Sequence, residues 1–209
     1  MLQINTLQKN YGDKTILKIK ELTLPGGIIH LKGINGSGKT TFSKIVAGLI
    51  PFEGELILNN SLSPTSTKVE YRKQVNYSES EPDYPEFLSA NDLISFVGKA
   101  KGTSKKHLKS MVEIFGVNEY LYDQIGTYSS GMIKRLSLVL AFLGKPKLIL
   151  LDEPFNALDT KAIETLKDMI LQFHENGVDF ILVSHQDIDH LGVPIDACFM
   201  VQHQTITPC

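Results

Sequence analysis

The chain has 209 residues, 42% of them hydrophobic and 21% charged, with a formal net charge of −2. That composition predicts one globular domain with a sizeable interior, and the near-neutral charge excludes a nucleic-acid surface spread over the whole molecule, so no nucleic-acid partner is expected. No run approaches the ~18 apolar residues of a membrane-spanning helix, so the chain is not expected to cross a bilayer by itself.

Met1 leads directly into the alternation of Leu2, Ile4 and Leu7, rather than into the charged and apolar regions of a signal peptide. Residues 2–8 and 16–24 alternate apolar and polar side chains around Asn10-Tyr11-Gly12-Asp13, which predicts strand, turn, strand and antiparallel pairing. Pro25-Gly26-Gly27 turns the chain into Ile28-Ile29-His30-Leu31, a short strand. Phe42, Ile45, Val46 and Leu49 then recur at helical spacing. After Pro51, residues 55–58 read as another strand, 61–67 as polar loop, and Gln74 as part of the next strand.

From Ser89 to about Leu143 the period is helical. Leu93, Phe96 and Val97 share a face, as do Leu108, Met111, Val112 and Phe115, with Ser104 as N-cap and Gly116 and Gly126 as breaks. Residues 147–151 and 178–183 are apolar runs of the kind that buried parallel strands show. Between them Ile163, Leu166, Ile170 and Phe173 mark an amphipathic crossover helix, so strand, helix, strand implies a parallel α/β sheet. Residues 197–201 and 205–206 read as edge strands. Cys198 and Cys209 cannot build a disulfide framework, which makes a reducing, cytoplasmic setting the default.

Two motifs carry chemistry. Gly33-Ile34-Asn35-Gly36-Ser37-Gly38-Lys39-Thr40 has the form G-x-x-x-x-G-K-[ST] between a predicted strand and helix, the context a phosphate-binding loop requires. Backbone N–H groups of Asn35, Gly36, Ser37, Gly38, Thr40 and Thr41 can surround phosphate oxygens at a positive helix end. Lys39 would reach the β- and γ-phosphates and the Thr40 hydroxyl a Mg²⁺ position. A glycine-rich turn with a chance lysine is the bland alternative, and both flanking elements speak against it. The second motif is the apolar strand that ends in Asp152-Glu153. A buried strand delivers such acids to the carboxyl edge of the sheet, where Asp152 can hold Mg²⁺ opposite Thr40 and Glu153 can act as general base on a water.

Tyr128-Ser129-Ser130-Gly131-Met132-Ile133-Lys134-Arg135 resembles the signature of ATP-binding-cassette (ABC) ATPases, commonly Leu-Ser-Gly-Gly-Gln. Ala157-Leu158-Asp159 is similar to the family's D-loop, Val183-Ser184-His185 to its switch histidine, and Tyr11 to the aromatic residue that stacks on adenine. The resemblance spans residues 7–185 and implies an α/β fold: a P-loop NTPase core with a parallel sheet, an N-terminal antiparallel β-subdomain and an inserted α-helical subdomain. It implies one ABC ATPase domain over 1–209, with 1–86 and 145–209 as the ATP-binding core and about 87–144 as the helical subdomain. It further implies ATP and Mg²⁺ as cofactors and hydrolysis by Glu153 with His185 near the γ-phosphate. Ser129 and Gly131 would face the γ-phosphate of a second subunit's ATP, and Asp159 the seam of a head-to-tail homodimer, or heterodimer with a related ATPase. The partner implied is a separate transmembrane permease, which places the chain in the cytoplasm, peripheral on the inner face of the membrane.

Several residues depart from the family pattern. Family members usually carry Gln between the phosphate loop and the signature, whereas here Glu79 or Ser80 holds that position, so Glu79 is a candidate metal ligand. Tyr128, Ser130 and Met132 replace Leu, Gly and Gln of the signature. A soluble, non-transport ABC ATPase and a regulatory nucleotide-binding subunit are the rival readings. Lys99, Lys101, Lys105, Lys106 and Lys109 read as a solvated face, with anionic lipid or an acidic loop as the alternative. Asp187, Asp189 and His190 lack regular ligand spacing and read as a polar turn. Tyr84, Pro85, Phe87 and Leu88 form an apolar patch, read as core unless exposed, in which case a permease helix would dock there.

Overall fold

The N-terminal alternation resolves into an antiparallel sheet built on β1 (Leu2–Tyr11) in the computed structural model, which describes residues 1–188 and 191–209. On one edge β1 pairs with β2 (Lys14–Ile19) and β3 (Leu22–Leu24), on the other with β5 (Glu53–Leu58). Leu2 faces Leu24 and Leu58 across the two seams, and Leu7 faces Ile19 and Gly54. The predicted single run over 16–24 is therefore two strands, broken at Lys20-Glu21 but laid along one edge of β1.

The second sheet has six strands in the order β10-β9-β4-β8-β7-β6. β4 (Ile28–Lys32), β6 (Val75–Ser78), β7 (Leu148–Asp152), β8 (Asp179–Ser184) and β9 (Ala197–Gln202) pair in parallel, and β10 (Thr205–Pro208) folds back antiparallel on β9. β7 is buried at every position, which is why it reads as a continuous apolar run. Its period of two sends Ile149 and Leu151 to one face, and Leu148 and Leu150 to the other. Phe180 and Leu182 join the first face, and Ile181 and Val183 the second.

The first face is covered by α3 (Ala90–Ala100), α4 (Lys105–Ile114), α5 (Ser130–Ala141) and α6 (Thr160–Glu175). The second packs on α1 (Lys39–Val46), α2 (Lys68–Gln74) and the antiparallel sheet. Cap chemistry fixes where the helices of the first face begin. The Ser104 hydroxyl accepts the His107 N–H at 3.2 Å, as its spacing predicts. Ser89 and Asp92 form a reciprocal capping box on α3.

Two expectations are corrected. Gln74 is not in a strand: it ends α2, a helix the sequence pattern does not reveal because Tyr71 alone among its residues is buried. The Tyr71 hydroxyl anchors that helix by donating to the Val46 carbonyl at 2.6 Å. The two cysteines are not reduced: Cys198 and Cys209 are joined, their Cα atoms 5.4 Å apart. Antiparallel return of β10 along β9 brings the last residue back to Cys198, whose carbonyl accepts the Cys209 N–H at 3.1 Å. No helix among the described residues is long and apolar enough to cross a membrane.

Candidate active site

Three adjacent parallel strands deliver the chemistry to one edge. β4 ends in the phosphate loop, β7 in Asp152 and Glu153, and β8 in the turn that carries His185. This carboxyl edge is where open α/β sheets bind ligands. Gly38 caps α1 with φ +107°, a left-handed conformation that favours glycine, and the helix then opens toward the loop. The Lys39 ammonium donates to the Gly33 carbonyl at 2.6 Å and to that of Ile34 at 3.1 Å. Burial lowers its pKa, while the charges of Glu153 and Asp152 oppose that shift.

The Thr40 hydroxyl donates to Asp152 Oδ2 at 2.8 Å, and the Tyr77 hydroxyl donates to the same oxygen at 3.3 Å. Asp152 is 1% exposed, and burial raises its pKa against these two hydrogen bonds. A buried carboxylate oxygen beside a threonine hydroxyl is an all-oxygen donor set suited to a hard cation such as Mg²⁺, which takes one or two carboxylates and completes its shell from phosphates and water. Among the described residues no group of three or more His, Cys, Asp and Glu could hold a metal without such outside ligands.

Glu153 follows in a left-handed conformation, φ +45°. Its N–H donates to the Val183 carbonyl at 2.8 Å. Its Oε1 accepts two bonds from His185, from the backbone N–H at 3.0 Å and from Nδ1 at 2.7 Å. With Glu153 ionised, Nδ1 is the donor, and the histidine turns the carboxylate toward the space beneath the loop.

That space is a cavity of about 790 Å³ lined by Gly36, Lys39, Thr40, Asp152, Glu153 and His185 among others. Asn35, Gly38 and Thr41 also line it, but Ser37 does not. The Ser37 hydroxyl is buried without a hydrogen-bond partner. Tyr11 is exposed at the end of β1 beneath the Lys9 ammonium, 4.9 Å from its ring, and Ile16 of β2 reaches the cavity instead. Glu79 turns away to pair with Lys44 at 2.9 Å, whereas Ser80, Glu81 and Pro82 face the cavity.

The signature stretch is divided: Ser130, Ile133 and Lys134 line the cavity, while Ser129 and Gly131 do not. Ser129 is the exposed N-cap of α5 and accepts the Met132 N–H at 3.3 Å. A Cβ on Gly131 would lie 3.0 Å from the Ala157 carbonyl oxygen, so the loop before α6 packs directly on the start of α5. Asp159 caps α6 through the Ala162 N–H at 2.8 Å and pairs with Arg135 at 2.6 Å. Ser129, Gly131 and Asp159 lie outside the cavity lining, on a neighbouring stretch of surface.

Sequence patterns missed Tyr77 and Lys134. Lys134 lines the cavity from α5 and is almost fully buried, and its pKa is lowered to about 8 by desolvation. The available signal was helical phase, since Lys134 shares a face with buried Ser137, Leu138 and Ala141.

The profile of the ABC transporter family matches residues 18–156. The chain belongs to the ABC transporter family. It is 32% identical to the lantibiotic transport ATP-binding protein SrtF of Streptococcus pyogenes, over 92% of this chain and 84% of that one. It is 31% identical to the cytochrome c biogenesis ATP-binding export protein CcmA of Legionella pneumophila, over 90% and 94%. Against the linearmycin resistance ATP-binding protein LnrL of Bacillus subtilis, 30% identical, it spans 61% of the relative's length. The fold superposes on a structure described as the ATP-binding subunit of an ABC transporter with TM-score 0.87 at 23% identity, covering 100% of this chain and 90% of that one. It superposes on the cassette MJ0796, described as a dimeric post-hydrolysis state bound to ADP and Pi, with TM-score 0.82 at 20% identity, covering 100% and 98%. As an ABC cassette the chain binds and hydrolyses ATP.

A second cavity, about 620 Å³, opens between α2 and α3. Leu49, Val69, Tyr84, Phe96 and Val97 give it apolar walls, and Arg72, Lys73, Lys101, Glu79 and Asp83 a charged lining of both signs. Phe96 is 72% exposed and Val69 61%. Of the patch expected from sequence, Tyr84 and Leu88 pack on the core and Phe87 projects into solvent. The basic cluster is divided likewise: Lys101 is anchored, while Lys109 pairs loosely with Glu113 at 3.7 Å. Asp187 pairs with Lys32 at 3.2 Å, and Asp189 and His190 lie outside the described residues.

Proposed function

We propose that this chain is the ATPase subunit of a transporter, that two cassettes clasp ATP head to tail, and that Glu153 is the general base. The observation that carries the reading is the convergence of the Thr40–Asp152 pair and the His185-held Glu153 carboxylate on the cavity beneath the phosphate loop. Thr40 and Asp152 would hold Mg²⁺, which supplies charge neutralisation to the β- and γ-phosphates when bound. Lys39 exchanges its carbonyl partners for phosphate oxygens, and Ser80, rather than Glu79, faces the reacting end. The second copy supplies the exposed Ser129 and the half-buried Gly131, neither of which lines its own chain's cavity. The partner is an identical or a related cassette in the same geometry, and a homodimer is the simpler assembly.

The membrane partner is a separate permease whose cytoplasmic helix seats on the apolar groove of Leu49, Val69 and Phe96, which puts the chain on the inner face of the membrane. Relatives named for lantibiotic transport and for export support an exporter. The test is Glu153→Gln, which keeps shape and hydrogen bonding but removes the base. It should bind ATP and lose turnover by at least about 100-fold; a variant that hydrolyses like the parent removes Glu153 from this role.

A further inference from the structure

Lys134 is an ammonium at 2% exposure in the cavity wall, with two main-chain carbonyls as its hydrogen-bond acceptors. Its ammonium donates to the Asp152 carbonyl and to the Glu79 carbonyl, each at 2.9 Å. Burying an ammonium on such partners is expensive, and a packed apolar side chain of similar volume would ordinarily serve folding as well. What the lysine adds is geometry at the Asp152–Glu153 peptide.

That peptide is pinned from both sides. Lys134 takes its carbonyl, and its N–H donates to the Val183 carbonyl at 2.8 Å. The pinned plane leads into the φ of +45° at Glu153, a left-handed conformation that is strained for a non-glycine residue and persists only where neighbours enforce it. From there the carboxylate reaches His185. Through its second bond the same ammonium holds the carbonyl of Glu79, next to Ser80 at the cavity wall. Lys134 stands in the turn of α5 that follows Ser130 and Gly131. One side chain therefore ties the signature helix to the strand end that carries the base and to the loop between β6 and α3.

We propose that Lys134 is a positioning residue for hydrolysis: it locks the Asp152–Glu153 peptide and the Glu79–Ser80 loop to α5, so that the Glu153 carboxylate stays aimed into the cavity. This rests on Glu153 as the base. Lys134 acts through that carboxylate: it stands in the cavity wall, but its ammonium is engaged by the two main-chain carbonyls.

Four variants test it: Lys134→Met, Lys134→Gln, Glu153→Gln and Lys134→Met combined with Glu153→Gln. Each is measured for ATP affinity, ATP-driven dimerisation, melting temperature, KM and kcat. For Lys134→Met the expected result is a cooperative melt, ATP affinity and KM within about threefold of the parent, and kcat lower by about tenfold or more, the scale a misplaced group costs. The combined variant should turn over no more slowly than Glu153→Gln alone, because both changes act at one group. Lys134→Gln, which keeps an amide donor, should recover part of the lost kcat. If Lys134→Met does not melt cooperatively, Lys134→Gln is held to the same kcat and KM criteria in its place. The proposal is overturned by kcat within twofold of the parent, by a kcat loss matched by an equal loss of ATP affinity, or by multiplicative losses in the combined variant. Undiminished turnover of Glu153→Gln would instead remove the base, whatever Lys134→Met does, so the two failures are distinguishable.

Discussion

Lys101 carries its charge into the wall between α3 and β6, where its ammonium donates to the Arg72 and Val75 carbonyls. Burial lowers its pKa from 10.5 to about 8. Between those two pH values the unfolded chain holds a proton that the folded chain has released, so this group's contribution to stability rises with pH. Lys101→Met removes the effect. The stability difference between parent and variant should move in the parent's favour as denaturation is followed from about pH 8 to 10.5, and a difference independent of pH would contradict the burial. At this scale the sequence was readable where the residue type itself carries the chemistry, as with Lys39, Thr40, Asp152 and Glu153. It was unreadable where burial carries it. Lys101 reads as one more member of a solvated basic run, and nothing in the sequence pattern singles out Lys134 within the signature or Tyr77. Choosing between Glu79 and Ser80 needed to know that Lys44 stands where it draws Glu79 aside.

Among the elements, the starts of α5 and α6 form one assembly. Ser129 caps the first and Asp159 the second, Arg135 joins them, and the Ala157 carbonyl rests where a Cβ of residue 131 would stand. Ala157 is itself left-handed, φ +60°, so its carbonyl has little room to yield. Gly131→Ala should displace this loop and lower ATP turnover by about tenfold while the melting temperature stays within a few degrees; full turnover would contradict the close approach. Ser129→Ala removes a cap and should cost about 1 kcal/mol in chemical denaturation. The apolar strands and the crossover helix were legible because period two and period 3.6 survive in them. α2 was not, since one buried residue in seven leaves no period to read. The Cys198–Cys209 bond was invisible for another reason: the β9–β10 register, not sequence spacing, brings the two thiols together.

For the molecule as a whole, the cavity gathers the phosphate loop, Asp152, Glu153 and the Ser130, Ile133 and Lys134 side of α5, while Ser129, Gly131 and Asp159 lie beyond its lining. On the proposed reading a single chain presents half of each of two sites, and the apolar groove beside α3 is the surface offered to the permease. Phe96→Asp should abolish co-purification with the membrane subunit, because a carboxylate would be desolvated against Leu49 and Val69; retention of the complex would place docking elsewhere. The account stands most directly on the mass of Glu153→Gln in solution with saturating ATP and Mg²⁺, measured by light scattering behind a sizing column. It predicts a shift from one 23.2-kDa chain to two, with no phosphate released and reversal when Mg²⁺ is chelated. A mass that stays at one chain while ATP is bound would contradict it.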